Sequence, residues 1–274
     1  EGSLNGQTFA CSGDNCSVSL NEGNNDFTFW ALSSWGDSSI MGTFSAKVDT
    51  VLPTLGLNIT TTSGSNGWYF SPTSLTATGS DSTSGLSSVF LSVDNGAWIP
   101  STTLNEGVYN VLVQAEDNAG NIAQSSTVVS VDMTTPTIAV SVNGTTGNNG
   151  WYSSNMEVSA TANDATSGVG SLESSLDGGV YQAYNSPVSF ADGYHTVQFK
   201  AIDKAGNETE TSVQEFYVDT ITPAVDLPAE WEVNDPITYK VQDDGSGLSA
   251  LRIVIEAEDE QFAKVAWDEF VSGN

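Results

Sequence analysis

The sequence predicts an all-β protein made of small β-sandwiches in tandem, and three observations lead to this class. The chain has 274 residues, and one sandwich takes about 100, so two to three domains are expected. Gly, Ser, Thr, Asn and Asp are abundant while Lys, Arg, Met and His are scarce, which favours short strands and tight turns over helices. Apolar residues alternate with a period of two between turn signals, as they do in strands with one buried face.

An internal repeat gives the domain boundaries, because residues 50–132 align with residues 133–219. Four motifs recur at matching places: Gly-Trp-Tyr at 67–69 and 150–152, Asp-x-x-Ser-Gly at 81–85 and 164–168, Asp-x-Gly at 94–96 and 177–179, and Asp-x-Ala-Gly-Asn at 117–121 and 203–207. A Val-Asp junction with a proline four residues after the Asp occurs at Asp49, Asp132 and Asp219. The repeat therefore predicts two complete domains, at 50–132 and 133–219.

The second repeat contains seven predicted strands, with turn signals between them. They lie near 137–143, 156–163, 171–176, 180–184, 187–190, 194–202 and 211–218. Seven short strands in fewer than about 90 residues, without a helical period, indicate an immunoglobulin-like β-sandwich. In the usual letters these strands are A, B, C, C′ or D, E, F and G.

The recurring motifs resemble those of bacterial Ig-like repeat domains, which occur in tandem in large secreted and cell-surface proteins. The motifs that carry the resemblance are Val-Asp-Thr-x-x-Pro at the junction, Gly-Trp-Tyr before strand B, Asp-x-x-Ser-Gly after it and Asp-x-Ala-Gly-Asn between strands F and G. The resemblance implies tandem immunoglobulin-like sandwiches in an elongated rod, located outside the cell. It also implies the usual role of such domains as a stalk, spacer or adhesin module.

The two ends of the chain match different parts of a repeat. Residues 1–49 match only its later part, since Ser-Leu-Asn-Gly at 3–6 resembles Ser-Leu-Asp-Gly at 175–178. Residues 220–274 match only its earlier part, since 243–248 resembles 164–169 and Trp231 stands near the Trp-Tyr position.

We predict that residues 1–49 and 220–274 are complementary halves of one Ig-like domain, joined head to tail between neighbouring subunits or repeats. Each half alone would expose an apolar face and unpaired strand edges, such as residues 251–255. The alternative is that the sequence is an arbitrary window on a long covalent array. Both alternatives remain open at this stage.

The charge of the chain limits its partners. Six Lys and Arg stand against 34 Asp and Glu, which gives a net charge of −28 at pH 7. Such a surface repels phosphate backbones and anionic lipid headgroups, so we expect neither nucleic-acid binding nor membrane insertion. It attracts cations, above all Ca²⁺, which prefers carboxylate and carbonyl oxygens.

Aspartates are expected to converge at the domain junctions, because the B–C and F–G loops of an Ig-like sandwich lie at the pole where strand A starts. The first predicted Ca²⁺ site contains Asp49, Asp81, Asp117 and Asn121, and the second contains Asp132, Asp164, Asp203 and Asn207. A weaker third site contains Asp219 and Asp243, because Ser33 takes the place of the F–G aspartate. The alternative is that Asp-x-Ala-Gly-Asn is only an Asp-capped turn with a glycine at positive φ.

The aromatic residues suggest a second kind of binding site, for sugars instead of metal ions. Sugar-stacking platforms could form from Trp68, Tyr69, Trp98, Trp151, Tyr152, Tyr181 and Tyr184. The simpler interpretation is structural, because the Trp-Tyr pair recurs in both repeats and large aromatic rings cover much apolar area at the end of a sandwich.

Enzymatic chemistry finds little support. His195 is the single histidine, and it falls at the expected start of strand F, where a structural role is favoured. The sequence holds no nucleophile elbow, phosphate loop or HExxH motif. We therefore expect no catalytic residue and no enzyme.

The two cysteines, Cys11 and Cys16, are close in sequence, and we predict a local disulfide between them. A free-thiol role is less favoured, because no basic residue nearby would activate a thiolate.

The preferred function is an extracellular filament or stalk module, stiffened by Ca²⁺ at its junctions, whose partners are copies of itself. Two alternatives remain: an adhesin or carbohydrate-binding region that recognises a surface glycan or protein, and a non-catalytic spacer of a secreted enzyme.

Overall fold

The structure is a computed structural model that describes residues 1–11, 16–39, 41–226 and 240–248. Regular structure in these ranges consists of β-strands alone. The described residues form two compact units, one with Glu1–Thr134 and Lys204–Gly206, the other with Thr135–Asp203 and the residues from Asn207 onward. No helix long and apolar enough to span a membrane occurs in the described part of the chain.

The N-terminal part of the first unit is a single antiparallel sheet, in the order β2-β1-β3-β4. Its strands are β1 (Gly2–Leu4), β2 (Gln7–Phe9), β3 (Gly23–Phe29) and β4 (Gly42–Val48). We call it the N-terminal sheet.

The rest of the first unit is the first complete domain, a sandwich of two sheets ordered β5-β7-β9 and β6-β11-β10-β8. Its strands are β5 (Thr54–Thr60), β6 (Trp68–Tyr69), β7 (Thr73–Ser80), β8 (Leu86–Val93), β9 (Ser101–Leu104), β10 (Gly107–Asp117) and β11 (Ile122–Val131). Alternate residues of both sheets point inward and form one core: Leu75, Ala77, Leu91, Leu104, Val111, Val113, Val129 and Val131.

The second unit contains the second complete domain, with sheets ordered β12-β14-β17 and β13-β20-β18-β15-β16, where β19 also pairs with β18. Its strands are β12 (Thr137–Asn143), β13 (Trp151–Tyr152), β14 (Met156–Asn163), β15 (Val169–Leu176), β16 (Gln182–Ala183), β17 (Val188–Phe190), β18 (Gly193–Asp203), β19 (Glu208–Glu210) and β20 (Gln214–Val218). The core repeats the pattern of the first domain with larger side chains: Met156, Val158, Ala160, Phe190, Val197, Phe199, Phe216 and Val218.

Two further strands, β21 (Ala224–Asp226) and β22 (Lys240–Gln242), pair antiparallel with each other. In sequence they follow the Asp219 junction, as the A and B strands of the complete domains follow theirs. Trp231 and residues 251–255, which entered the prediction for this segment, lie outside the described residues.

The tandem Ig-like fold class is confirmed, and most predicted strands of the second repeat coincide with observed ones. Two details differ. The predicted G strand is divided into β19 and β20. At the break, the hydroxyl of Thr211 accepts the N–H of Phe199, and the N–H of Thr211 donates to the carbonyl of Phe199, which interrupts the regular strand pairing. The Trp-Tyr pair itself forms a short strand, β13, that runs parallel to β20.

Candidate metal centres

Each interdomain aspartate holds the same local turn. The Oδ1 atom accepts a hydrogen bond from the backbone N–H two residues later, at 3.0 Å for Asp49, 3.0 Å for Asp132 and 3.1 Å for Asp219. This is an Asx-turn, in which an aspartate caps its own backbone. The Val-Asp junction therefore fixes the conformation of the chain just before strand A.

The B–C loop of the first complete domain wraps around Asp81. Its Oδ1 accepts the N–H groups of Thr83, Ser84 and Gly85 at 3.0, 2.9 and 2.9 Å, and Gly85 supplies the positive φ of 83° that closes the loop. The N–H of Ser84 also lies 3.0 Å from Oδ2 of Asp49. The B–C loop is thereby attached to the residue that enters the domain.

The F–G turn is built on Asp117, which is 2% exposed. Its Oδ1 accepts the N–H groups of Ala119 and Asn121 at 2.8 and 2.9 Å, and Gly120 has a φ of 94°. The side-chain amide of Asn121 donates to Oδ2 of Asp117 at 2.8 Å and to the carbonyl of Asp49 at 3.0 Å. Asn121, predicted as a ligand, thus connects Asp117 to the entering chain through its Nδ2.

Hydrogen bonding stabilises the ionised form of Asp117. Burial acts to raise the pKa of its carboxyl, but the hydrogen bonds from the side chain of Asn121 and from the backbone of Asn121, Ala119 and Gly120 outweigh burial and lower the pKa overall. The residue is therefore a carboxylate at neutral pH, as a metal ligand has to be.

The three carboxylates converge. One oxygen from each of Asp49, Asp81 and Asp117 lies within 4.8 Å of the others. Oxygens on opposite sides of one Ca²⁺ are about 4.6 to 5.2 Å apart, because each Ca–O distance is about 2.3 to 2.6 Å. Within the described residues, the ion pairs involve only His195 and Lys200 as cations, so no basic side chain pairs with this cluster.

The second complete domain repeats the B–C and F–G geometry. Asp164 Oδ1 accepts the N–H groups of Thr166 and Gly168 at 3.1 and 2.7 Å. Asp203 accepts the backbone N–H of Asn207 at 2.9 Å and its side-chain amide at 2.8 Å. The Oδ2 of Asp164 is buried and accepts no hydrogen bond from the described residues.

Asp132, the remaining member of the second predicted site, belongs to the first compact unit, whereas Asp164 and Asp203 belong to the second. The convergence of these three residues on one ion therefore stays a prediction.

The third predicted site is simpler. Oδ2 of Asp219 accepts the N–H of Ser246 at 2.6 Å, and Oδ1 of Asp243 accepts those of Gly245 and Gly247 at 3.1 and 2.8 Å. Hydrogen bonds from Ser246, first from its backbone and then from its side chain, lower the pKa of Asp219, with a further bond from Ile221. These contacts repeat those of Asp49 and Asp81 in the first site.

Ser33 forms the F–G type turn of the N-terminal sheet. Its hydroxyl accepts the N–H groups of Trp35 and Asp37 at 3.2 and 3.0 Å, and Gly36 has a φ of 88°. The turn has the same form as that of Asp117 but lacks the carboxylate. The F–G turn therefore forms with either a serine or an aspartate as its capping residue. An aspartate at this position adds a carboxylate that the turn itself does not need.

The remaining predicted residues occupy structural positions. Cys11 and Cys16 form a disulfide, with Cα atoms 5.2 Å apart. His195 stacks on Phe190 with ring centroids 4.9 Å apart, and its Nδ1 lies 3.2 Å from Asp177.

Several of the aromatic side chains pack inward, which fits the structural interpretation of those residues. Tyr69 and Tyr152 pack against the two cores, and the hydroxyl of Tyr184 accepts a hydrogen bond from the backbone N–H of Ala160 at 3.1 Å. Trp98, by contrast, is exposed.

Comparison with solved structures finds similar multi-domain proteins. The chain resembles fibronectin(III)-like modules of Clostridium thermocellum CbhA, at 16% identity and a TM-score of 0.32, over 60% of this chain and 94% of that one. It resembles a tetra-tandem repeat in the extending region of a large adhesion protein, at 14% identity and a TM-score of 0.31, over 83% and 72% of the two chains. A Ca²⁺-stabilised adhesin that helps an Antarctic bacterium reach out and bind ice is similar at 19% identity and a TM-score of 0.27, over 72% and 57%.

No curated protein matches the sequence. The family model described as a bacterial Ig-like domain matches residues 81–133 and 138–220. These segments fall in the two complete sandwiches, and they contain the B–C and F–G loop aspartates. The chain is therefore a tandem of bacterial Ig-like domains.

Proposed function

We propose that the chain is a non-catalytic spacing module of a secreted or cell-surface protein, a stalk or filament segment in which Ca²⁺ stiffens the entry to a domain. The observation that carries this proposal is the cluster of Asp49, Asp81 and Asp117. It joins the entering chain to two loops that are distant in sequence. A cation there would restrain the entering chain, which is what a module that sets reach and stiffness requires.

Electrostatics favours a bound cation. Three carboxylates held this close repel one another, and Asp117 is buried, where water screens the repulsion less. The chain as a whole carries −28, so no excess of basic residues compensates. A divalent cation would relieve the repulsion without changing the hydrogen bonds that already orient the three side chains.

The donor set fits Ca²⁺ better than a transition metal. Every candidate ligand is a carboxylate oxygen, and hard oxygen ligands suit Ca²⁺ or Mg²⁺. Mg²⁺ demands near-octahedral geometry, whereas Ca²⁺ accepts irregular arrangements supplied by loops. In the proposed site Asp49, Asp81 and Asp117 hold the ion, and Asn121 positions Asp117 against the entering chain.

Isothermal titration of the chain with Ca²⁺, combined with thermal melting with and without EDTA, tests the site. We expect heat of binding and a higher melting temperature with Ca²⁺. Asp117→Asn should remove the first site while retaining a similar turn. Asp94→Asn is the matched control, because it removes a carboxylate from a hairpin turn of the same domain, outside the cluster. Absence of heat, with an unchanged melting temperature, would refute the calcium part of the proposal.

The inner face of the N-terminal sheet is apolar and uncovered: Phe29 is 56% exposed and Phe44 is 60% exposed. A groove of about 490 Å³ runs over this face and is lined by Phe9, Leu20 and Phe27 among others.

Strand register shows what covers this face in the complete domains. Gly23 pairs with Val48 as Gly193 pairs with Val218, so Phe29 occupies the position of Phe199. Phe199 is fully buried, in a core shared with the sheet β12-β14-β17. The equivalent face of the first complete domain is covered by the sheet β5-β7-β9.

We therefore propose that the A and B strands of another Ig-like repeat cover the N-terminal sheet, in the manner of β-strand addition. The segment 220–274 of a neighbouring copy, or an adjacent repeat of the same kind, would supply them. Of this segment, β21 and β22 are described, and they pair antiparallel, as strands A and B do in the complete domains.

Analytical ultracentrifugation of the chain over a wide concentration range tests association between copies. Head-to-tail oligomers that dissociate on dilution, and that are lost in Phe29→Ser, support a neighbouring copy. The control is Phe70→Ser, an exposed phenylalanine away from this face. A chain that stays monomeric throughout would rule out association between copies.

The non-catalytic part of the proposal is consistent with the position of the single histidine. His195 lies against Phe190, and its Nε2 is 3.1 Å from the carbonyl of Ala191. Both ring nitrogens are thus occupied by structural contacts, and we propose that His195 fixes the start of strand β18. His195→Gln should lower thermal stability; a hydrolytic activity that disappears with this substitution would contradict the proposal.

A further inference from the structure

The second complete domain has a row of aromatic side chains on the outer surface of its β13-β20-β18 sheet. Strand register places Trp151 opposite Tyr217 and Tyr217 opposite Tyr194. The ring centroids are 5.5 Å apart for the first pair and 5.1 Å apart for the second. Tyr217 is 40% exposed and Tyr194 is 52% exposed, so the row faces solvent over much of its length. We call these three residues the aromatic row.

Hydrogen-bonding groups border the row. Glu215 pairs with Thr196 two register positions further along the same two strands, and therefore lies on the same face as Tyr194 and Tyr217. Asp177 accepts the N–H of Thr196 at 2.8 Å. Partial burial raises the pKa of Tyr194, and the nearby charge of Glu215 raises it further. A row of rings with carboxylates beside it therefore lies on one surface of the sheet.

The first complete domain has the same strands but not the row. Trp68 pairs with Ser130, and Ser130 pairs with Val108, so a serine and a valine replace the two tyrosines. Val128 occupies the register position of Glu215. The fold thus forms without the tyrosine pair and without the adjacent carboxylate. Cross-strand pairing of aromatic residues would stabilise the second domain modestly, but the fold itself does not require it.

We propose that the aromatic row is a binding site for a neutral polysaccharide. The apolar face of a pyranose ring packs on an aromatic ring, and its hydroxyl groups donate to carboxylates at the edge. The strands are about 4.8 Å apart, so three rings span about 10 Å, which suits a linear polymer better than a single sugar.

Charge decides between classes of polymer. Glu215 and Asp177 flank the row, and the chain carries −28 at pH 7. Uronate-rich or sulfated polysaccharides would be repelled, whereas a neutral chain would not. The proposal stands apart from the calcium cluster and the N-terminal sheet, since none of their residues takes part in it.

The test is affinity electrophoresis of the whole chain in native gels that contain one of three soluble probes: hydroxyethyl cellulose, mixed-linkage β-glucan or alginate. We expect retardation by one or both neutral glucans and none by alginate. Tyr194→Val and Tyr217→Ser copy the first domain, so each should fold, and together they should weaken binding by on the order of tenfold or more.

Control variants distinguish polysaccharide binding by the aromatic row from a purely structural role of the same residues. Trp68→Ala, in the first domain, should leave retardation unchanged, whereas Trp151→Ala should reduce it. Val108→Tyr together with Ser130→Tyr should strengthen retardation by adding a second row. Absence of retardation by both neutral glucans overturns the proposal, and so does equal retardation of the double tyrosine variant. Binding of the row to a proline-rich peptide instead of a glucan would also overturn it.

Discussion

The N-terminal sheet and the C–F–G sheet of the second complete domain are built alike but differ in burial. Both start their central strand at a glycine with positive φ, 91° at Gly23 and 132° at Gly193. Yet Phe29 is 56% exposed while Phe199, at the equivalent position, is fully buried. Local sequence is therefore enough to form the strands and turns of this sheet, whereas a core exists only where a second sheet covers it.

The largest expected change in stability comes from replacing Phe199, the buried residue of the Phe29–Phe199 pair. Phe199→Ala should destabilise the second domain by about 3 to 5 kcal/mol, because it removes a fully buried ring and leaves a cavity. Phe29→Ala should change the unfolding free energy of the dilute chain by no more than about 0.5 kcal/mol, as at an exposed site. Urea unfolding of both variants measures this. Equal losses would show that the N-terminal face is already covered within one chain.

The proposed calcium sites allow a second comparison, between a junction with an F–G aspartate and one without. At a Ca²⁺ concentration of a hundred times the Kd, binding should stabilise the first complete domain by about 2.7 kcal/mol. Asp81→Asn should abolish this gain. Asp243→Asn, the corresponding change at the third junction, should reduce the total heat of Ca²⁺ binding much less, because that junction lacks the third carboxylate. Calorimetric titration of both variants is the measurement, and the reverse order would refute the assignment.

The disulfide is expected to have a smaller and local effect. Cys11 and Cys16 are five residues apart, and closing so short a loop stabilises by at most about 2 kcal/mol. Reduction should therefore affect only the N-terminal sheet and leave the melting of both complete domains unchanged. Intact mass before and after reduction and alkylation checks the bond, and differential scanning calorimetry locates its effect. A shift in the melting of the second domain would contradict this locality.

Acid should weaken the junctions gradually. Hydrogen bonds hold the pKa values of Asp117 and Asp219 below their ordinary range. Each therefore contributes stability that is present above the unfolded pKa of about 3.9 and is lost as the pH falls through the lower folded pKa. Thermal melting in EDTA from neutral pH down to about pH 3 should show this loss. Asp117→Asn should flatten it in comparison with Asp94→Asn; identical pH profiles would argue against the shift.

Much of the fold could be predicted from this sequence because the repeat is explicit. The Asp-Gly turns, the period-two strands and the Val-Asp junctions are local signals, and their geometry in the structure follows them closely. The turn at 94–96 shows this: Asp94 and Asn95 take positive φ values of 49° and 59°, and the N–H of Gly96 donates to the carbonyl of Val93 at 2.8 Å. The division of strand G was not predictable, because it depends on Thr211 reaching Phe199 across the sheet.

The candidate sites also differ in how far the sequence predicted them. The sequence identified Asp49, Asp81 and Asp117 as a set, because loop positions in an Ig-like sandwich determine which residues share a pole. It also singled out Trp151, but not the two tyrosines beside it. Tyr194 and Tyr217 are more than twenty residues apart in the chain, and only strand register brings their rings to 5.1 Å.

The sequence by itself determined the domain repeat, the turns and the charge of this protein, because each depends on residues close together in the chain. Tertiary structure decided which side chains meet across strands and loops, and which apolar faces are covered. The role of Asn121 illustrates the reason. The sequence grouped Asn121 with Asp49 and Asp117 as ligands, but only the structure shows that its amide donates to the carbonyl of Asp49, 72 residues before it, at 3.0 Å. Such contacts depend on how strands pair and sheets pack, and no local pattern in the sequence encodes them.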